Sequence, residues 1–118
     1  MSFSLLFLDI ETTGLRPHES DLLELSAVRI SPDFSKETAV FDELVFTESA
    51  IPPFVQKLTG ISNDLLTDAK SFDEVHSQFR DFLQPNDIIC GHNISFDVGF
   101  LSHHGYTIEN KTLDTFPL

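Results

Sequence analysis

The stretch Phe3-Ser4-Leu5-Leu6-Phe7-Leu8-Asp9-Ile10-Glu11-Thr12-Thr13-Gly14-Leu15 changes character halfway along. Residues 3–10 read as a strand that is apolar on both faces, with Phe3, Leu5 and Phe7 on one side and Leu6, Leu8 and Ile10 on the other. Such a strand belongs in the middle of a sheet covered by helices on both sides. The acidic part follows at its end. Asp9 and Glu11 stand two apart, so their side chains leave the same face. Two carboxylates held together repel, which costs stability unless a cation lies between them. Hard oxygen ligands suit Mg²⁺ or Mn²⁺. Two such ions about 3.5–4 Å apart can activate a water and stabilise the leaving oxygen of a phosphodiester. Taken alone, the pair reads better as a solvated strand end. Thr12-Thr13-Gly14 adds a tight turn whose N–H groups can approach a ligand, with Gly14 free to adopt positive φ.

Working outward, residues 22–31 and 37–47 read as two further strands, with Ser31-Pro32-Asp33-Phe34-Ser35 as a hairpin loop between them. Ile51-Pro52-Pro53 opens a short helix that Gly60 ends, and a second short helix fits residues 62–67. Ser71 and Glu74 have capping-box spacing. Phe72, Val75, Phe79, Phe82 and Leu83 then predict a helix over 72–84, broken by Pro85-Asn86. Asp87-Ile88-Ile89-Cys90-Gly91 is a short buried strand. A helix over 94–104 stops at Gly105, and residues 111–116 form a last strand. The order βββ-α-β-α-β predicts a mixed α/β sheet, with an antiparallel three-strand meander joined to parallel crossover units.

A second constellation occupies Gly91-His92-Asn93-Ile94-Ser95-Phe96-Asp97-Val98-Gly99-Phe100-Leu101. Phe96, Phe100 and Leu101 form an apolar helical stripe, and Asn93 and Asp97 are spaced to share a face. An acid one turn into a helix also suits the helix dipole. The strand before it ends at Gly91, however, and α/β sheets place their sites at strand C-terminal ends. Both readings of Asp97 stand at this point.

The bulk numbers bound the rest. The 118 residues make one domain, 41% hydrophobic and 22% charged, with twelve Phe, one Tyr and no Trp, so the core is Phe-rich. No apolar run approaches the ~20 residues of a membrane span. Phe3–Leu8 lacks the flanks of a signal peptide. The single cysteine, Cys90, excludes an internal disulfide framework and fits a reducing, cytoplasmic setting. A net charge of −12 with seven Lys+Arg excludes a broad basic footprint. Any contact with phosphates would therefore run through cations bridging the carboxylates.

Taken together, the two constellations resemble the motifs of the DEDD-type (DnaQ-like, proofreading-type) 3′–5′ exonucleases. Asp9–Leu15 resembles that family's first motif and His92–Leu101 its second. Between them, Glu24-Leu25-Ser26-Ala27-Val28 resembles its second strand and Leu58-Thr59-Gly60-Ile61-Ser62 its short helical turn. The resemblance implies a ribonuclease H-like fold. It also implies hydrolysis from the 3′ end of single-stranded DNA or RNA, releasing nucleoside monophosphates. It makes Asp9, Glu11 and Asp97 the catalytic metal-site carboxylates for two Mg²⁺ or Mn²⁺ ions. Thr12, Thr13, Gly14 and Leu15 would hold the terminal nucleotide, Leu15 against its base, and Asn93 and Phe96 would contact substrate or shape the pocket.

The family's third motif, a fourth carboxylate with the His or Tyr that deprotonates the attacking water, has no counterpart in this sequence. His104 and Glu109 have the spacing but straddle the Gly105 helix stop. His18, His76, His103 and His104 read as surface residues. The expectation is one exonuclease domain over residues 1–118, C-terminally incomplete, lacking the helices that cover the sheet. Its partners would be a single-stranded 3′ end and a DNA polymerase or a second chain completing the fold, with no membrane. A non-catalytic exonuclease-like module that binds a polymerase or another protein is the alternative. A phosphatase using the same carboxylates fits the Thr-Thr-Gly-Leu turn less well.

Overall fold

The computed structural model describes residues 3–31 and 37–115. Five strands, β1 (Ser4–Thr12), β2 (Leu22–Ile30), β3 (Glu37–Leu44), β4 (Asp87–Gly91) and β5 (Thr112–Asp114), form one sheet in the order β3-β2-β1-β4-β5. β1, β2 and β3 are the antiparallel meander, and β4 and β5 run parallel to β1. The doubly apolar strand is therefore the central one, as its pattern requires. The expected loop at 31–35 and the end of the expected last strand fall largely outside the described residues.

The helices are α1 (Pro53–Thr59), α2 (Phe72–Phe82) and α3 (Ile94–His103). α1 begins on Pro52-Pro53 and ends at Gly60, which is left-handed (φ 77°). The Ser71 hydroxyl caps α2 by accepting from the Glu74 N–H at 3.2 Å. Gly105 (φ 96°) follows α3, and the Tyr106 N–H turns back to the Leu101 carbonyl at 2.8 Å. The short helix expected over 62–67 is instead a run of turns, with Leu66 N–H bonded to the Asn63 carbonyl and Thr67 N–H to that of Asp64. Its one buried side chain, Leu66, gives no helical face to pack.

Among the described residues, the helices cover the sheet on one side only. Leu6, Leu8 and Ile10 of β1, with Leu25, Ala27 and Ile89, pack against Val75 and Phe79 of α2 and Phe100 and Leu101 of α3. On the opposite face Leu5, Phe7, Val28 and Ile88 are half-buried and Val40 is exposed. Both long helices thus serve one face of a strand whose composition suits two. A smaller cluster of Leu23, Ile51, Val55, Ile61 and Leu66 fastens α1 to the sheet end.

One ion pair ties the layers together. Arg29 on β2 donates through Nε and Nη2 to both oxygens of Asp87 on β4, at 2.9 and 2.8 Å, and Nη2 also reaches the Phe82 carbonyl at 2.6 Å. The guanidinium lies over the Phe82 ring, 4.4 Å from its centroid. Asp87 accepts further from the Gln84 N–H at 2.9 Å. Two of the four histidines read as surface residues, out of five in the sequence, differ from that reading. His76 stacks on Tyr106 (4.3 Å), and half-buried His104 stacks on Phe100 (4.7 Å) with its Nε2 2.9 Å from the Pro17 carbonyl. Apolar rings in the neighbouring turns leave both imidazoles a flat surface to cover. Among the described residues no helix is long and apolar enough to cross a membrane.

Candidate active site

The site forms where β1 outruns its parallel partner. β4 pairs with β1 as far as Phe7 opposite Cys90 and then ends at Gly91. Only a glycine fits there, since a Cβ would lie 2.9 Å from the Leu8 carbonyl oxygen. Beyond that pairing the β4 side of β1 has backbone donors with no strand to meet them. α3 fills the gap. Its Asp97 carboxylate accepts a hydrogen bond from the Ile10 N–H, the backbone group between Asp9 and Glu11.

This contact brings the two sequence segments together. Asp9 is exposed, Glu11 half-buried and Asp97 buried. Burial, reinforced by the charges of Asp9 and Glu11, pushes the Asp97 carboxyl up to about 7. Burial and the neighbouring Asp9 also raise Glu11. Both backbone hydrogen bonds to Asp97 favour its ionised form, so burial and repulsion outweigh them. Among the described residues, no three His, Cys, Asp or Glu side chains already converge on a point that would hold one metal ion. The three carboxylates are neighbours that repel, without a closed coordination shell.

A further acid joins them. Glu24 on β2 stands opposite Glu11 in the antiparallel register. Burial, a hydrogen bond with Asp42 and the charges of Asp42, Glu11 and Asp9 push it up to about 7. Asp42 in turn accepts from the Ser26 hydroxyl at 2.8 Å. Glu24 carried only a strand resemblance in the sequence. Its place beside Glu11 depends on the β1–β2 register, which no spacing within one strand reveals.

The turn after β1 is held by its own side chains. The Thr12 hydroxyl donates to the Gly14 carbonyl at 2.7 Å, and the Thr13 hydroxyl accepts from the Asp21 N–H at 2.9 Å. Gly14 does not use the positive φ open to it. Its smallness is what the turn uses, because a Cβ there would lie 2.8 Å from the Ser20 hydroxyl oxygen. Leu15 is left 84% exposed. Glu11, Thr12, Gly14, Leu15 and Phe96 all line one pocket of about 160 Å³, together with Phe54, Leu58 and Thr59 of α1. Thr13 and Asn93 are not among its walls. Asn93 also does not share a helix face with Asp97, as the four-residue spacing suggested. It precedes α3 in the left-handed conformation (φ 57°, ψ 49°), and its N–H is held by Asp114 at 2.8 Å. Asn tolerates that conformation because its short side chain can bond locally, here accepting from the Ser95 hydroxyl at 3.3 Å.

Phe54 and Leu58 were not legible as site residues, since an apolar residue in a short helix reads as core. On the open face, Phe7, Asp9, Val28, Gly91 and His92 line a separate hollow of about 450 Å³.

A mixed sheet whose antiparallel meander is joined to two parallel strands is the ribonuclease H-like fold. Solved structures share that fold. The ExoI/SSB-Ct complex superposes with a TM-score of 0.81 at 18% identity, covering 97% of this chain and 28% of that one. Exonuclease X in complex with 5′ overhanging duplex DNA gives 0.74 at 21% identity, over 94% and 59%. A family model described as Exonuclease, of the RNase T type, matches residues 6–117, and the chain belongs to that exonuclease family. The DNA polymerase III PolC-type of Latilactobacillus sakei is 36% identical over 116 residues, 93% of this chain and 8% of that protein. DNA polymerase III subunit epsilon of Treponema pallidum is 34% identical over 115 residues, 93% of this chain and 52% of that protein. The chain spans about half the length of the epsilon subunit and less than a tenth of the PolC-type polymerase.

Proposed function

We propose that Asp9, Glu11 and Asp97 are the carboxylates of a divalent-metal centre that hydrolyses the 3′-terminal phosphodiester of single-stranded DNA or RNA, releasing nucleoside monophosphates. One observation carries the reading. Asp97 takes the Ile10 N–H and so stands beside both Asp9 and Glu11, and the charge of Asp9 raises both of the other carboxyls. The donor chemistry fits Mg²⁺ or Mn²⁺, since every candidate ligand atom is a hard oxygen. Bound there, two such ions would polarise the phosphodiester and supply a hydroxide nucleophile.

The chain's own residues prepare for this. Repulsion among the three acids makes cation entry favourable, and entry expels the proton that Asp97 otherwise holds near neutral pH. Thr12, Thr13, Gly14 and Leu15 form the turn that seats the terminal nucleotide, and Phe96 closes the pocket floor. Asn93 acts from the start of α3, where it fixes the helix that carries Asp97.

The fourth carboxylate and the general base are proposed to come from elements beyond these residues. They would be supplied by further chain of the same domain or by a partner such as a DNA polymerase, docked on the open face beside Asp9. A non-catalytic exonuclease-like module is favoured by a different observation, the absence among the described residues of a converged three-ligand group. The test is Mn²⁺ titration with an assay on a 3′-labelled single-stranded oligonucleotide. Binding lost in Asp9→Ala, with cleavage restored when the missing motif is supplied, supports the centre. A chain that ignores Mn²⁺ and Mg²⁺ leaves the module reading.

A further inference from the structure

α3 grips the end of β1 and the loop that follows it at two points. At one, the buried Asp97 carboxylate accepts the Ile10 N–H. At the other, His104, which ends α3, sets its Nε2 2.9 Å from the Pro17 carbonyl. Asp97 and His104 are seven residues apart in the chain. Two helical turns, about 10 Å, therefore separate them along one face. The stretch between the grips, residues 10–17, contains Glu11, Thr12, Gly14 and Leu15. Within the loop, Thr12 bonds to Gly14 and Thr13 twice to Asp21, which fixes its shape but not its placement. The His104 bond comes from another element and sets where the loop stands relative to α3.

A carbonyl oxygen can only accept, so Nε2 carries the proton, in the neutral ring and in the imidazolium alike. The ring is half-buried and stacked on Phe100, 4.7 Å between centroids, with Phe72 of α2 5.8 Å away. Two helices thus hold the donor aimed at Pro17. A phenyl ring would serve the packing; the N–H adds direction. We propose that His104 is a positioning residue for the carboxylate centre. Its bond to Pro17 stops α3 from rolling against the loop, and so keeps Asp97 on the Ile10 N–H, beside Asp9 and Glu11. The inference rests on the metal-centre reading above. Losing a group hydrogen-bonded to a metal ligand weakens metal affinity by about 10- to 100-fold, and His104, one step further out, belongs at the low end.

The test uses the full chain with Mn²⁺ as the probe and two substitutions that separate the ring from its proton. His104→Phe keeps an aromatic ring against Phe100 and Phe72 but has no donor. His104→Gln gives up the ring and places an amide N–H near the position of Nε2. His104→Phe should weaken Mn²⁺ binding roughly tenfold, and His104→Gln should recover most of that loss. Amide hydrogen exchange gives a second readout, without metal. The Ile10 N–H should exchange up to about tenfold faster in His104→Phe, as for one weakened hydrogen bond, and near the parent rate in His104→Gln. The β1 amides that pair with β2 should keep their rates, whereas general destabilisation would speed all of them together. Parent-like Mn²⁺ affinity and Ile10 exchange in His104→Phe overturn the proposal. So does a His104→Gln chain no better than His104→Phe, or faster exchange spread evenly over β1. A parent chain that ignores Mn²⁺ sinks the metal-centre reading and the role of His104 in it. Mn²⁺ bound equally by parent and His104→Phe sinks the inference alone.

Discussion

Two groups of buried charge sit on this sheet, one near each end of the β1–β4 pairing. At one end Asp87, fully buried, receives two bonds from Arg29 and a third from the Gln84 N–H. At the other, Asp97 is buried to nearly the same degree, yet its neighbours are Asp9 and Glu11. The first carboxylate is compensated by a cation that the fold supplies. The second is raised to about 7 because burial strips it of water and the fold sets anions beside it. On the reading proposed above, the second acid is kept for a cation from outside. Perturbed acids of this kind cluster at functional sites.

The contrast can be broken most forcefully at its compensated end. Arg29→Ala strands Asp87 in the core, and urea denaturation should register a loss of about 3–5 kcal/mol. A loss under ~1 kcal/mol would mean that the pair is no anchor. At the crowded end the sign reverses. In metal-free buffer near pH 7, Asp97→Asn should stabilise the chain by about 2–4 kcal/mol, since each unit of pKa shift corresponds to about 1.4 kcal/mol. Destabilisation would show that Asp97 is structurally satisfied.

The pH dependence sharpens the same point. Asp97 holds its proton to about 7 in the native state but ionises near 3.8 when unfolded. Between those values the native state binds more protons, so metal-free stability should fall as pH rises from about 4 to 7. Glu24, raised from 4.5 to about 7, adds to the same slope. Denaturation midpoints across that range check it, and Asp97→Asn should flatten the profile. The smallest effect is expected at the rim. Leu15→Ala should change stability by less than ~0.5 kcal/mol, because Leu15 has little contact to lose.

The parts of this structure that were legible in the sequence are those written in local periodicity. The doubly apolar run at residues 3–10 correctly marks a central strand, and Ser71 with Glu74 correctly marks the start of α2. Asp9 and Glu11 share a face because strand alternation obliges them to. Asp97 joins them because β4 stops short, a tertiary fact that spacing only suggests. Pairing across strands stayed hidden, and Glu24 with it. Asn93 and Gly14 show the limit of residue-type reasoning. The left-handed conformation falls on the asparagine, and the glycine lies close against the Ser20 hydroxyl. Phe54 and Leu58 escaped notice because exposure cannot be read from an apolar letter.

The central claim is that Asp9, Glu11 and Asp97 await a divalent cation. Calorimetric titration of the chain with Mn²⁺ near pH 6.5, in two buffers of different ionisation enthalpy, tests it directly. The account predicts saturable binding with proton release, visible as a buffer-dependent heat, because the cation displaces the proton from the Asp97 carboxyl, raised to about 7. Both signals should vanish in Asp9→Ala. No binding, or binding that survives Asp9→Ala with no proton released, would contradict it.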